Sequence, residues 1–234
     1  NETWEFDIQM YKDIVVKAGN TLTIKCKVAM ATDGKIIVEK NAKLIIDGGE
    51  VTGWCKKTPL GSNTNYPLWA GIEVAGDPTL NQVINTSTGL CANQGIVQVI
   101  NTGTVSYAQK GIVTSLTSPT GVWQNNTSGG IVLADNANFL NNIYDVVLYK
   151  YQLSNPSSKI VNSNFKTTSV IGSYGNANTQ ITPKEHLKLY QNWGLNVQGC
   201  TFECVPGIYA QANNGAGIYA TDSYFTVDQY CATS

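Results

Sequence analysis

Arginine is absent from this 234-residue chain, and all 15 basic residues are lysine. Phosphate groups and base edges are recognised largely through bidentate guanidinium forks, and the formal net charge is only -1, so a nucleic-acid partner is excluded. Charged residues of both signs make up 13%, about half the usual share. Asn, Thr, Ser and Gly fill the difference, giving a surface that is polar without being ionic.

Long apolar runs are missing too. No stretch approaches the roughly 18 consecutive apolar residues of a membrane span, and no basic-then-apolar leader opens the chain. It begins Asn1-Glu2-Thr3-Trp4 and ends Cys231-Ala232-Thr233-Ser234, which reads as one domain, residues 1–234, taken from a longer polypeptide. No segment carries a helical period. Histidine occurs once, and the six cysteines (Cys26, Cys55, Cys91, Cys200, Cys204, Cys231) contain no C-x-x-C knuckle, so a zinc site is not expected.

What the sequence does contain is a repeat. An apolar residue, a small or turn-forming pair and a second apolar or aromatic residue recur in six copies, which end at Val51, Val105, Phe139, Phe165, Phe202 and Phe225. A Gly-Ile element accompanies them at Gly71-Ile72, Gly95-Ile96, Gly111-Ile112, Gly130-Ile131, Gly207-Ile208 and Gly217-Ile218, with Tyr144-Asp145-Val146-Val147 in the same place after Phe139. Alternation over four to six residues broken by Gly, Asn and Asp marks short strands joined by tight turns. The first third shows it most cleanly, in Thr21–Val28, Lys35–Val38 and Ala42–Ile46, with corners at Gly19-Asn20, Asp33-Gly34 and Lys40-Asn41. A two-sheet sandwich needs no common repeat, whereas a solenoid stacks equivalent residues about 4.8 Å apart. The expectation is an all-β, right-handed parallel β-helix with Val51, Val105, Phe139, Phe165, Phe202 and Phe225 inward at equivalent corners. Residues 54–68, 76–93 and 172–185, rich in Asn, Thr, Ser, Gly and Pro, are expected to be loops projecting from it.

The run from Ile14 through Gly49, including Val15-Val16-Lys17-Ala18-Gly19-Asn20 and Asn41-Ala42-Lys43-Leu44-Ile45-Ile46-Asp47-Gly48-Gly49, resembles a segment of right-handed parallel β-helix domains in secreted and cell-surface proteins of Bacteroidetes, many exported by the type IX system. Trp69-Ala70-Gly71-Ile72-Glu73-Val74 is similar to the strand that follows in such proteins, and the copies at Gly130-Ile131, Phe139 and Phe165 look like their later rungs. The resemblance implies fold and export, hence a secreted or cell-surface location. It implies little about activity, because this fold hosts lyases, hydrolases, adhesins and inert stalks.

Catalytic parts are scarce. Pectin hydrolases on this fold carry adjacent aspartates, a Gly-His-Gly and an Arg-x-Lys, and the chain has none of the three. Calcium-dependent lyases use clustered acids; here Asp47, Asp135 and Asp222 read as corner residues that bond their own backbone. Asp47-Gly48-Gly49-Glu50 is the best calcium candidate, yet it lacks the alternating acids of a calcium loop. No cofactor is therefore expected. His186, in Pro183-Lys184-Glu185-His186, reads as an exposed loop residue.

Aromatics supply the binding hypothesis. Sugar-binding surfaces use the faces of Trp and Tyr, and the chain holds 5 Trp and 12 Tyr against 5 Phe. Tyr149, Tyr151, Tyr190 and Trp193, in the C-terminal half, are the candidate ligand-binding residues. Six cysteines allow 15 pairings; Cys204 with Cys231 and Cys26 with Cys55 are the candidate disulfides, each pair separated by about one solenoid turn. The reading is a monomeric, non-catalytic extracellular module, an adhesin or stalk, that engages a glycan or a surface protein. A polysaccharide lyase or glycoside hydrolase is the alternative.

Overall fold

A computed structural model describes residues 1–54, 68–118, 120–154, 156–169, 171, 181–205 and 215–228. The described chain is a right-handed parallel β-helix. Its strands visit three parallel sheets in strict rotation: sheet A has eight strands, sheets B and C seven each. No helix among the described residues is long and apolar enough to cross a membrane.

Register, and not spacing along the chain, defines the coils. In sheet B, Ile8, Val28, Val51, Val105, Phe139, Phe165 and Phe202 form one column of successive partners. In sheet A the column runs Ile24, Ile46, Val99, Ala134, Ile160, Val197, and in sheet C Ile36, Ile72, Ile112, Val146, Leu187, Ile218. These columns meet along the axis in one continuous core. Each fully buried Val, Leu or Ile contributes about 1.5–3 kcal/mol, and stacking like on like lets neighbouring coils share rotamers. Phe139 and Phe165 lie nearly parallel with centroids 4.8 Å apart, and Phe165 and Phe202 follow at 5.0 Å.

The corners explain the Asn and Gly content. Asp33, Asn41, Asn101, Asn136, Asn141 and Asn162 all have φ between 50° and 61°, the left-handed region that Asn and Asp tolerate better than other side chains. At Gly49 a Cβ would lie 2.7 Å from the carbonyl oxygens of Ile24 and Cys26, so the coil below can approach only a glycine.

Four sequence expectations need correction. Thr21–Val28 is two strands, Thr21–Ile24 in sheet A and Lys27–Met30 in sheet B. Leu22, Ile24, Cys26 and Val28 are all buried, so inward alternation continues around the corner and conceals it. Phe225 does not share the column of the other five motif residues: it lies in sheet A opposite Leu195, because a similar small-residue corner recurs between sheets C and A. The Gly-Ile copies likewise divide into two columns, Ile72, Ile112 and Ile218 in sheet C and Ile96 with Ile131 in sheet A.

The fourth concerns the insertion 76–93, a loop as expected, part of which folds back onto the coil instead of projecting. Cys91 is buried against the outward side chains Ile96 and Ile131. Gln82 donates to the Gly129 carbonyl, and its backbone N–H bonds the Tyr151 hydroxyl. Of the other two insertions, residues 55–67 and 172–180 lie outside the described residues, as do Cys55, Cys231 and Gly207-Ile208; Glu185 already belongs to the strand Glu185–Tyr190.

Candidate functional site

The four sequence-selected aromatics occupy different environments. Tyr151 is buried and serves as a pin, its hydroxyl accepting the Gln82 N–H at 3.1 Å. Tyr149 and Tyr190 do come together, 6.5 Å apart, but around Trp123, which stacks flat on Tyr149 at 4.2 Å and 2° and meets Tyr190 edge-on at 5.6 Å. One face of Tyr149 is thereby spent on holding Trp123 against sheet C, where Thr117 also bonds the buried Glu73. Burial pushes the Tyr149 hydroxyl pKa up. Trp193 is 46% exposed, opposite the exposed Tyr224 on the next coil.

His186 contradicts its loop assignment. It sits in a sheet C strand, buried, with Nδ1 2.5 Å from Oδ2 of the buried Asp145. Asn142 donates to Asp145 Oδ1 at 2.7 Å and to the Val105 carbonyl at 3.0 Å, and accepts the Ala108 N–H at 2.7 Å. The histidine ring lies 6.2 Å from Phe165 and 6.0 Å from Phe202. Burial raises the Asp145 carboxyl pKa, against the lowering pull of His186 and Asn142.

An Asp–His pair can orient a general base. This one faces aromatic rings inside the coil, and its only described hydrogen bonds are those with Asn142 and between its own members. Its place was legible in the repeat. Ile112, Val146, Leu187 and Ile218 are consecutive partners in sheet C, each preceded in the sequence by Gly111, Asp145, His186 or Gly217, and Pro183 just upstream obscured the third copy.

The aspartates Asp47 and Asp135 end strands of sheet A and, where bonds to their own backbone were expected, accept side-chain amide hydrogens from Asn101 and Asn162 on neighbouring coils; Asp222 stands at a corner with φ 48°. Among the described residues no group of three or more His, Cys, Asp or Glu is placed to hold a metal ion. No disulfide joins described cysteines. Burial raises the thiol pKa of Cys26, Cys200 and Cys204.

A site that sequence reasoning missed lies on the outer face of sheet B. A cleft of ≈ 560 Å³ opens there, with Trp54 and Tyr107 in its wall and Asp7, Gln9, Lys27, Glu50 and Thr52 along its floor. Four coils contribute: Asp7, Ile8 and Gln9 from the first, Lys27 and Ala29 from the second, Glu50, Thr52, Gly53 and Trp54 from the third, and Tyr107 from the fourth. Tyr11, 66% exposed, meets Trp54 edge-on at 4.9 Å. The floor is held from within. Asp7 Oδ1 accepts the Lys27 N–H at 2.9 Å, Lys27 pairs with Glu50 at 3.0 Å, and Ser106 Oγ lies 3.1 Å from Glu50 Oε1 and 2.7 Å from Thr52 Oγ1.

Tyr107 stands at the corner between sheets B and C with φ 52°, a position that is a genuine outlier for a bulky side chain. Asn141 Nδ2 donates to its hydroxyl at 3.1 Å, and Ser169 Oγ lies 2.9 Å from it. Backbone strain of this kind concentrates at functional sites. The cleft was invisible to composition because Trp54 and Tyr107 are far apart in sequence and meet only when Val51 stacks on Val105.

Comparison of the chain with protein-family models, with curated proteins and with solved structures finds no match in any of the three.

Proposed function

We propose that this chain is a non-catalytic extracellular module, an adhesin or stalk segment, that binds a glycan in the sheet B cleft. The observation that carries the reading is the cleft itself: aromatic side chains beside a floor of carboxylate, amide, hydroxyl and ammonium groups. Aromatic faces match the apolar C–H face of a sugar ring, and the polar groups match its hydroxyls. The outward position of the cleft on a rigid sheet suits recognition without domain movement.

Export by a Bacteroidetes type IX system and a cell-surface location belong to the same proposal, supported by residues 14–49 and 69–74 of the sequence, and so do disulfides Cys204–Cys231 and Cys26–Cys55, supported by separations of about one solenoid turn. So do a monomeric state, the absence of a cofactor and the absence of a nucleic-acid partner.

One observation favours the polysaccharide-cleaving alternative, namely that Asp7 and Glu50 share the cleft with Lys27. Their hydrogen bonds argue for the binding role, because Asp7 caps a backbone N–H and Glu50 is tied to Lys27 and Ser106. Glycan-array binding and release of reducing ends, measured on one preparation, decide between them. Binding without new reducing ends is the expected result. Turnover that Glu50→Gln abolishes would replace the module by an enzyme.

A further inference from the structure

We infer that the glycan is a neutral, linear chain lying along sheet B parallel to the solenoid axis; this rests on the cleft being the binding site and extends it. The column Lys27–Glu50 on the cleft floor continues, partner by partner, through Thr104, Asn138, Asn164 and Thr201. Parallel register makes that column straight, with one polar group about every 4.8 Å. Thr201 Oγ1 donates to Asn164 Oδ1 at 2.7 Å, and Asn164 Nδ2 to Asn138 Oδ1 at 3.1 Å. Each amide keeps a further donor hydrogen and an acceptor lone pair for a ligand.

Loop placement leaves this face uncovered among the described residues. The corner from sheet A to sheet B never takes more than three residues. The insertion 76–93 covers sheet A, through Cys91 on Ile96 and Ile131, and residues 114–118 and 120–128 cover sheet C, through Thr117 on Glu73 and Trp123 on Tyr149. On the far side of sheet B, Leu68 and Ile171 pack together with Tyr107 and Ile143 at the B-to-C corner. The result is a track with a low edge on one side and a raised one on the other.

Charge selects the ligand class. Lys27 pairs with Glu50 and Lys166 with Glu203, so that among the described residues Asp7 in the cleft has no ion-pair partner. A polyuronate would find the ammonium groups of Lys27 and Lys166 already committed to Glu50 and Glu203 and would meet Asp7 in the cleft, whereas a neutral chain of hydroxyls meets acceptors and amides. An extended polypeptide is disfavoured because the sheet's backbone groups are spent on neighbouring strands.

The test titrates the full chain and its Asn164→Ala variant with neutral β-1,4-linked xylose, glucose and mannose oligomers, from trisaccharide to hexasaccharide, with oligogalacturonate and an extended Ser/Thr-rich peptide alongside. Affinity for one neutral series is expected to rise about tenfold from trimer to hexamer, equivalent to about 1.4 kcal/mol. Asn164→Ala, remote from the cleft, should remove that gain and leave the trimer unchanged. Length-independent binding, or a hexamer unaffected by Asn164→Ala, would overturn the axial chain while leaving the cleft intact. Preference for oligogalacturonate or for the peptide would overturn the ligand class, and no binding of any probe would overturn cleft and chain together.

Discussion

Replacing Phe165 by alanine probes the stacked core at its centre. The side chain is fully buried, with Phe139 4.8 Å away on one side and Phe202 5.0 Å on the other, nearly parallel. Truncating a buried Phe to Ala costs about 3–5 kcal/mol, and the cost is greatest where the surroundings cannot collapse into the gap. Here they cannot, since each neighbouring ring is fixed by its own strand register, so the upper half of that range applies. Phe225 supplies the control. It is only partly buried, in the last described strand, so Phe225→Ala should cost about 1–2 kcal/mol, part of the value of full Phe burial. Urea unfolding followed by circular dichroism gives both numbers, read from the midpoint at unchanged slope. Because coils interact mainly with their neighbours, amide exchange in Phe165→Ala should accelerate most at Asn138–Leu140 and Thr201–Cys204 and least at Thr21–Ile24. A Phe165→Ala cost below about 1 kcal/mol, or one no larger than that of Phe225→Ala, would refute the stacked column.

The buried Asp145 has its carboxyl pKa raised by burial, so its contribution to stability is fully present below the ordinary carboxyl pKa of about 3.9 and is lost as pH rises through the higher folded value. Wild type should therefore lose stability relative to Asp145→Asn as pH climbs from about 3.9, read as the difference between melting temperatures; a wild-type advantage that grows with pH would contradict it. Cys200, with its thiol pKa raised by burial, should react with a thiol reagent at neutral pH far more slowly than after unfolding in urea, and equal rates would mean this thiol is open. The Lys166–Glu203 pair is half in solvent, so Glu203→Gln should change stability by no more than about 0.5 kcal/mol; a larger loss in urea unfolding would show that this ladder pair is structural.

The fold was legible because the β-helix repeats its local chemistry. Gly19, Asp33 and Asn41 have positive φ at the three corners the sequence marked, and Val51 through Phe202 share the column that the motif implied. What alternation could not show was where one sheet ends and the next begins, since Ile24, Cys26 and Val28 stay inward around a corner. The site was far less legible. Tyr149 and Tyr190 looked like outward sugar platforms, yet Trp123, drawn from a distant insertion, occupies the Tyr149 face. The cleft needed Trp54 and Tyr107 to be brought together by the stacking of Val51 on Val105. His186 was misplaced because the proline upstream signalled a loop more loudly than the Leu187, Leu189 alternation signalled a strand.

Titration of the glycan found on the array against wild type, Trp54→Ala and Tyr190→Ala tests the central claim most directly. Stacking on one aromatic face is worth roughly 0.5–1.5 kcal/mol beyond the area it covers. Trp54→Ala should therefore weaken binding by about tenfold or more, while Tyr190→Ala, on the other side of the solenoid, should leave it within about twofold. Binding that survives Trp54→Ala and is lost in Tyr190→Ala would move the site to sheet C and contradict the account.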